Sequence, residues 1–319
     1  MIKKLKTSLI VLVSLLSVSS LQAGTITKVN LNGQKVFMSE LPTVKNGTTY
    51  VDVTSLEKAL GVEISNSVKT MPIREVANKV GAKLEFDKAS NVVNLIYQIK
   101  GDTDLFGRLI RTTNLPKNAK EYEYILSSVP NSFYEGKLRY EKVDWSIKPV
   151  EGDHFIRPKN MDTLDYFTAE NINNWVSRLE KNLDLRLNVS YKTVNSNWAN
   201  ELVETYPTSH KDSYLADIKE YMSYIKNNNI EVVGDYYVEP STFYSCNGTY
   251  VRVYVKFKIS SNKVKEASLY QQYDYKIKTN TWYEGYVDLS LGTNVYNSSM
   301  QELWVNYDTI TLNVKACSK

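Results

Sequence analysis

The chain has 319 residues, with 39 basic and 35 acidic side chains, two histidines and two cysteines. So balanced a charge excludes a nucleic-acid binder, which needs a basic face and phosphate-contacting clusters. Two histidines and two well-separated cysteines leave no His-Glu-x-x-His, no Cys-x-x-Cys and no zinc or haem spacing, and no Walker A loop, Gly-x-Ser-x-Gly elbow or dinucleotide fingerprint occurs.

In chain order, Met1-Ile2-Lys3-Lys4-Leu5-Lys6 is a basic start, Leu9 to Val18 is apolar apart from serines, and Leu21-Gln22-Ala23 before Gly24 reads as a cleavage site. Residues 1–23 are therefore expected to be a signal peptide, and the mature protein to be exported, either secreted or cell-wall associated. The apolar run is shorter than the roughly twenty residues of a spanning helix, and no later run matches it, so no transmembrane segment is expected after cleavage. No cysteine follows to carry a lipid. An uncleaved signal anchor is the alternative, because Leu21 is large for its position. Removing Lys3, Lys4 and Lys6 leaves a mature chain with one more base than acids.

Residues 24–100 read as one small domain. Val29-Asn30-Leu31-Asn32-Gly33-Gln34-Lys35-Val36 carries an Asn-Gly hairpin signal. Tyr50-Val51-Asp52-Val53 leads into a helix with Leu56, Ala59 and Leu60 on one face and Gly61 as its stop, and Thr54 and Glu57 have capping-box spacing. Met71-Pro72-Ile73-Arg74-Glu75-Val76-Ala77 opens a second helix with Ile73, Val76, Ala77 and Val80 on one face and Gly81 as its stop. Leu84 and Phe86 then alternate with Lys83, Glu85 and Asp87 in a strand, Lys88 to Asn91 turns, and Val92 to Ile96 is a second strand. Leu60-Gly61-Val62-Glu63-Ile64 answers Val80-Gly81-Ala82-Lys83-Leu84, so the halves form a degenerate repeat.

These residues resemble the copper amine oxidase N-terminal-like domain, or stalk domain, of exported bacterial proteins. The likeness spans residues 26–98 and rests on the Asn-Gly hairpin, the Lys45-Asn46-Gly47 turn, Pro72-Ile73-Arg74 in place of Pro-Leu-Arg, Val80-Gly81-Ala82 in place of Leu-Gly-Ala, and Phe86-Asp87 in place of Trp-Asp. In the first half Val53-Thr54-Ser55 stands where the family has Pro-Leu-Arg. The resemblance implies an envelope-docking or spacing domain. Asn306-Tyr307-Asp308 matches the tripeptide whose tyrosine becomes the quinone of true copper amine oxidases. That chemistry needs copper on three histidines, and this chain has only His154 and His210, so the tripeptide is expected to be ordinary strand.

Residues 101–319 are expected to form a C-terminal α+β domain. Gly101, Asp102 and Asp104 mark the boundary. Residues 111–165, with Pro116, Pro130, Pro149 and Pro158, predict an irregular wrap with one helix over Lys120 to Ser128; the aromatics Tyr122, Tyr124, Phe133, Tyr134, Trp145 and Phe155 argue that it is ordered. Residues 166–230 predict helices: Ile172, Trp175, Val176, Leu179 and Leu183 make one stripe, Trp198, Leu202 and Val203 a short piece, and Leu215, Ile218, Tyr221, Met222 and Ile225 a third. Residues 231–319 predict an antiparallel sheet. There Val251, Val253, Val255, Phe257 and Ile259 face a core, while Arg252, Tyr254, Lys256 and Lys258 face water. Helices on a curved antiparallel sheet give an α+β fold, and the element order resembles a cystatin-like or NTF2-like arrangement.

Candidate chemistry is sparse. Cys246 and Cys317 permit a disulfide in an exported protein; a nucleophile made of Cys246 with His154 or His210 is the sharper alternative. Asp162 with Asp165, or Asp212 with Asp217, would supply the two carboxyls of glycoside cleavage, although caps and solvated faces are the commoner use of such residues. Tyr254, Tyr273, Trp282 and Tyr286, with Tyr236, Tyr237 and Tyr283, would stack on sugars or peptides, or simply pair across strands. No catalytic, cofactor-binding or metal residue is assigned and no cofactor is expected. The reading favoured is a non-enzymatic exported protein in which a stalk-like domain docks to cell-wall polymer or another envelope protein and presents a C-terminal binding module. The alternative is a hydrolase of cell-wall polymer or peptide.

Overall fold

Asn32-Gly33 and Asn46-Gly47 both take positive φ at each position, 53° and 83°, then 50° and 71°. This is the geometry of a type I′ turn, whose twist matches that of the strands it joins. The computed structural model describes residues 26–136, 138, 155–206, 208–246, 248–269, 275–293, 303–307 and 310–317. The expected signal segment, His154, Tyr273 and Asp308 lie outside these. The two turns close β1 (Lys28–Leu31) on β2 (Gln34–Lys35) and β3 (Thr43–Lys45) on β4 (Thr48–Asp52).

From β4 the chain runs directly into α1 (Val53–Leu60), and from β5 (Thr70–Pro72) directly into α2 (Ile73–Val80), followed by β6 (Lys83–Asp87) and β7 (Val92–Ile96). Each helix ends at a left-handed glycine, Gly61 at φ 70° and Gly81 at φ 72°, whose N–H donates to the Glu57 or Ala77 carbonyl. The repeat read from the sequence is thus strand, helix and glycine stop, made twice. The strands form one sheet in the order β2-β1-β7-β6 and another in the order β3-β4-β5. In the first, β1 and β7 are parallel, with Val29 beside Val93 and Leu31 beside Leu95. Those four, with Val51, Leu56, Leu60, Ile73 and Val76, form one core.

The capping box expected at Thr54 and Glu57 is not made. Asp52 caps α1, its Oδ1 accepting the Thr54 N–H at 3.3 Å and its Oδ2 the Ser55 hydroxyl at 2.7 Å. Glu57 instead accepts the N–H groups of Ile64 and Ser65 at 2.8 and 2.9 Å, pinning the chain that leaves the helix.

The rest of the chain contributes α3 (Asn131–Glu135), α4 (Ala169–Leu187), β8 (Asn188–Ser190), α5 (Ser196–Val203), α6 (Lys211–Asn227), β9 (Glu231–Val238), β10 (Tyr244–Ser245) and β11 (Thr249–Ser260). It continues with β12 (Glu266–Ala267), β13 (Ile277–Lys278), β14 (Thr281–Thr293), β15 (Leu303–Tyr307), α7 (Ile310–Asn313) and β16 (Lys315–Ala316). The principal sheet has the order β15-β14-β11-β9-β8, with β10 added on β11 and β16 on β14. Val251, Val253, Val255, Phe257 and Ile259 of β11 pack against Ile172, Trp175, Leu179 and Leu183 of α4, as the two periodicities predict. The fold is α+β. Among the described residues no helix is long and apolar enough to cross a membrane.

Two expectations for this half are corrected. The helix over Lys120 to Ser128 is replaced by a single 3-10 turn at Ala119–Glu121 and an extended stretch, where the Arg111 N–H bonds the Ile125 carbonyl and the Ser127 N–H the Leu109 carbonyl. Burial of Tyr122, Ile125, Leu126 and Val129 beside Tyr237 and Tyr254 of the sheet overrides local helical preference. The second face of β11 is also not wet along its length. Arg252 and Tyr254 are buried, and the face becomes half-exposed only from Lys256 through Lys258 to Ser260.

Candidate functional site

What covers that second face is an assembly of charged and aromatic side chains. β8 pairs only with Glu231, Val232 and Val233, so among the described residues the outer edge of β9 from Gly234 to Val238 has no strand beside it. An open edge presents unpaired backbone groups and has to be covered. Here the N-terminal module and residues 104–108 lie against it.

The module attaches through β1, β2 and the loop that follows them. The Lys35 ammonium pairs with Asp235 and sits 3.7 Å from the centre of the Tyr236 ring, and the Lys28 ammonium lies 2.6 Å from Asp184 of α4. Phe37, 3% exposed, enters an aromatic nest, its ring centre 5.2 Å from Tyr254, 5.5 Å from Tyr237 and 6.5 Å from Phe133. The contacts to Tyr237 and Phe133 are edge-on, which suits the ring quadrupoles. Beyond them Tyr254 donates to Glu284 at 2.9 Å, and the Tyr286 and Ser132 hydroxyls lie 2.8 Å apart. Burial, then the neighbouring Glu284, pushes the Tyr254 phenol far above its ordinary value, so it acts as a neutral donor.

Beside this nest Arg108 bridges two buried carboxylates. It meets Asp104 through Nε at 2.8 Å and NH2 at 2.6 Å, and Glu239 through NH1 at 3.1 Å and NH2 at 3.3 Å. Tyr237 accepts from Arg108 and donates to Glu239, both at 3.1 Å. Burial opposes the charge on Arg108, but Glu239, Tyr237 and Asp104 outweigh it and hold the guanidinium well above its ordinary range. A second arginine ties the wrap to the sheet. Arg252 forks onto Asp288 at 2.7 and 3.1 Å and donates to the carbonyls of Phe133 at 3.2 Å and Gly136 at 2.6 Å. Both arrangements satisfy the fixed donor fork of arginine within the protein, which makes a buried ion pair tolerable.

Half-buried Glu180 on α4 also faces this junction. Burial pushes its carboxyl above the ordinary value, although Lys35, Lys28 and Arg108 pull the other way. Between the modules lies a shallow, partly open crevice whose lining includes Gln34, Lys35, Arg108 and Ser128, with about 20 Å³ of space. That is room for a single water and not for a sugar or peptide.

The residues singled out from sequence fall elsewhere or change role. Tyr254 and Tyr286 belong to the nest, Tyr254 buried against Phe37 and half-buried Tyr286 against Phe133 and Tyr254, so both rings pack within the protein. Trp282 is half-exposed, with the Lys258 ammonium 5.3 Å from its ring centre. No disulfide joins Cys246 and Cys317. Cys246 is buried beyond the Thr249 end of β11, whereas the Cys317 N–H bonds Trp282, which is registered with Lys258 at the other end. At about 3.3 Å per residue the length of the strand separates them, far beyond the roughly 4.4–6.8 Å between Cα atoms that a bridge allows. Asp162, Asp165, Asp212 and Asp217 are all exposed, and His210 stands at the start of α6. Among the described residues no group of three or more His, Cys, Asp or Glu side chains is placed to hold a metal ion.

Sequence reasoning missed Lys28, Lys35, Phe37, Asp104, Arg108, Asp235 and Glu239. The Asp104 to Arg108 spacing was the one local signal available; the other partners are remote in sequence. No family model matches the chain, and searches of curated proteins and of solved structures find no match.

Proposed function

We propose that this chain is an exported, non-enzymatic cell-envelope or secreted protein, in which a stalk-like N-terminal module is joined to a C-terminal α+β binding module and the two act together. The observation that supports this reading is the use made of the seam side chains. Phe37 packs edge-on to Tyr237 and against Tyr254 across the seam, and Lys35 pairs with Asp235 there, while Arg108, Asp104 and Glu239 are locked onto one another beside it, so these charged and aromatic groups serve packing between and within the modules. The resemblance of residues 26–98 to stalk domains adds the envelope setting and a cell-wall polymer or envelope protein as partner.

The test is incubation of the purified chain with isolated cell wall and envelope extract, followed by sedimentation and analysis of the supernatant. Retention of the chain with the pellet, and no soluble sugar or peptide released over time, is the expected result. Steady release of wall fragments would overturn it in favour of a hydrolase.

A further inference from the structure

The N-terminal sheet ends in a strand whose sequence fits a second copy of itself. β6 pairs with β7 on one side only, Leu84 beside Leu95 and Phe86 beside Val93, and among the described residues no strand lies on its other side. Directly paired residues share a face, so Leu84 and Phe86 continue the apolar face that carries the buried Val93 and Leu95. Phe86 nevertheless remains 60% exposed, because the core ends before the sheet does. On the opposite face Lys83 and Glu85 point to solvent, their side chains 72% and 50% exposed and 2.8 Å apart.

Alternating charge on an edge usually prevents pairing with other chains. The spacing here does the reverse in one register. If two β6 strands meet antiparallel with Leu84 on the two-fold axis, Lys83 of each faces Glu85 of the other and Phe86 of each covers Ala82 of the other. Both charge pairs are then opposite in sign, and the exposed phenylalanines are roofed. Shifting the centre to Glu85 would keep two opposite-charge pairs, Lys83 with Asp87, but set the two Glu85 carboxylates face to face, so the charges favour the first register. We propose that the chain forms a two-fold dimer by antiparallel addition of β6 to β6, making one continuous sheet across two N-terminal modules. This isologous contact is independent of the proposed envelope role.

Light scattering and sedimentation of the purified chain up to about 0.5 mM, a range that captures weak pairing, should show dimer. Lys83→Glu and Glu85→Lys each create two like-charge pairs, and each alone should weaken dimerisation by on the order of tenfold. Mixing the two variants should restore it as a heterodimer, a recovery that the lost pair within each chain cannot explain. Leu84→Cys on a Cys317→Ser background should cross-link to itself under mild oxidation, since paired Cα atoms across antiparallel strands lie about 4.5–5.5 Å apart. A wild-type chain that stays monomeric throughout, or variants that fail to recover on mixing, would overturn the proposal.

Discussion

Replacing Phe37 with alanine tests whether the two modules unfold as one. The side chain is 3% exposed and touches three rings of the other module, so its truncation removes buried area from the cluster it shares with Phe133, Tyr237 and Tyr254 and leaves the N-terminal core intact. A buried Phe→Ala change costs about 3–5 kcal/mol, and here most of it should fall on inter-module coupling. The five tryptophans all lie after residue 100, so their fluorescence reports only on the C-terminal half, whereas far-UV circular dichroism reports on both. In the wild type the two urea curves should coincide; in Phe37→Ala the dichroism curve should gain an earlier phase that fluorescence lacks. Phe37→Leu keeps most of the apolar area and should keep the curves together. Coincident curves for Phe37→Ala, with a stability loss below about 1 kcal/mol, would refute the view that this ring couples the modules.

Other residues give sharper local tests. Arg108→Met strands Asp104 and Glu239 beside each other, and a loss of about 3–5 kcal/mol in denaturant melts is expected, against under 1 kcal/mol if the network is incidental. Asp52→Ala should cost about 1 kcal/mol and Thr54→Ala little; the reverse order would restore the capping box as the start of α1. Glu180 has a carboxyl raised in the folded state, so the folded protein loses stability as pH climbs through that raised value and loses none below the unfolded value of about 4.3. Glu180→Gln should therefore be more stable than the wild type near neutrality and equal to it in acid. A difference that does not vary with pH would count against that reading.

Much of the N-terminal module was legible because its signals act over a few residues. Asn32-Gly33, Asn46-Gly47, Gly61 and Gly81 reach positive φ cheaply, so turns and helix ends can be placed without knowing what lies around them. The stripe of Ile172, Trp175, Leu179 and Leu183 and the alternation from Val251 to Ile259 likewise follow from each element's own period. The start of α1 was misread because Thr54 with Glu57 matches the same spacing rule that Asp52 satisfies two residues earlier.

What sequence alone determined is therefore the α+β class, the principal helices α1, α2, α4 and α6, and the buried face of long elements such as α4 and β11. The parallel pairing of β1 with β7, the extended course of residues 125–127 and the cover over Arg252 and Tyr254 were decided by tertiary structure. Each depends on a partner far along the chain: Val93 for Val29, Tyr237 for Phe37, Glu239 for Arg108. Period-two alternation states that Tyr254 points away from Val253, but it cannot state whether water or a phenylalanine lies there. Burial is a property of what packs above a side chain, and that is settled only when the whole chain has closed.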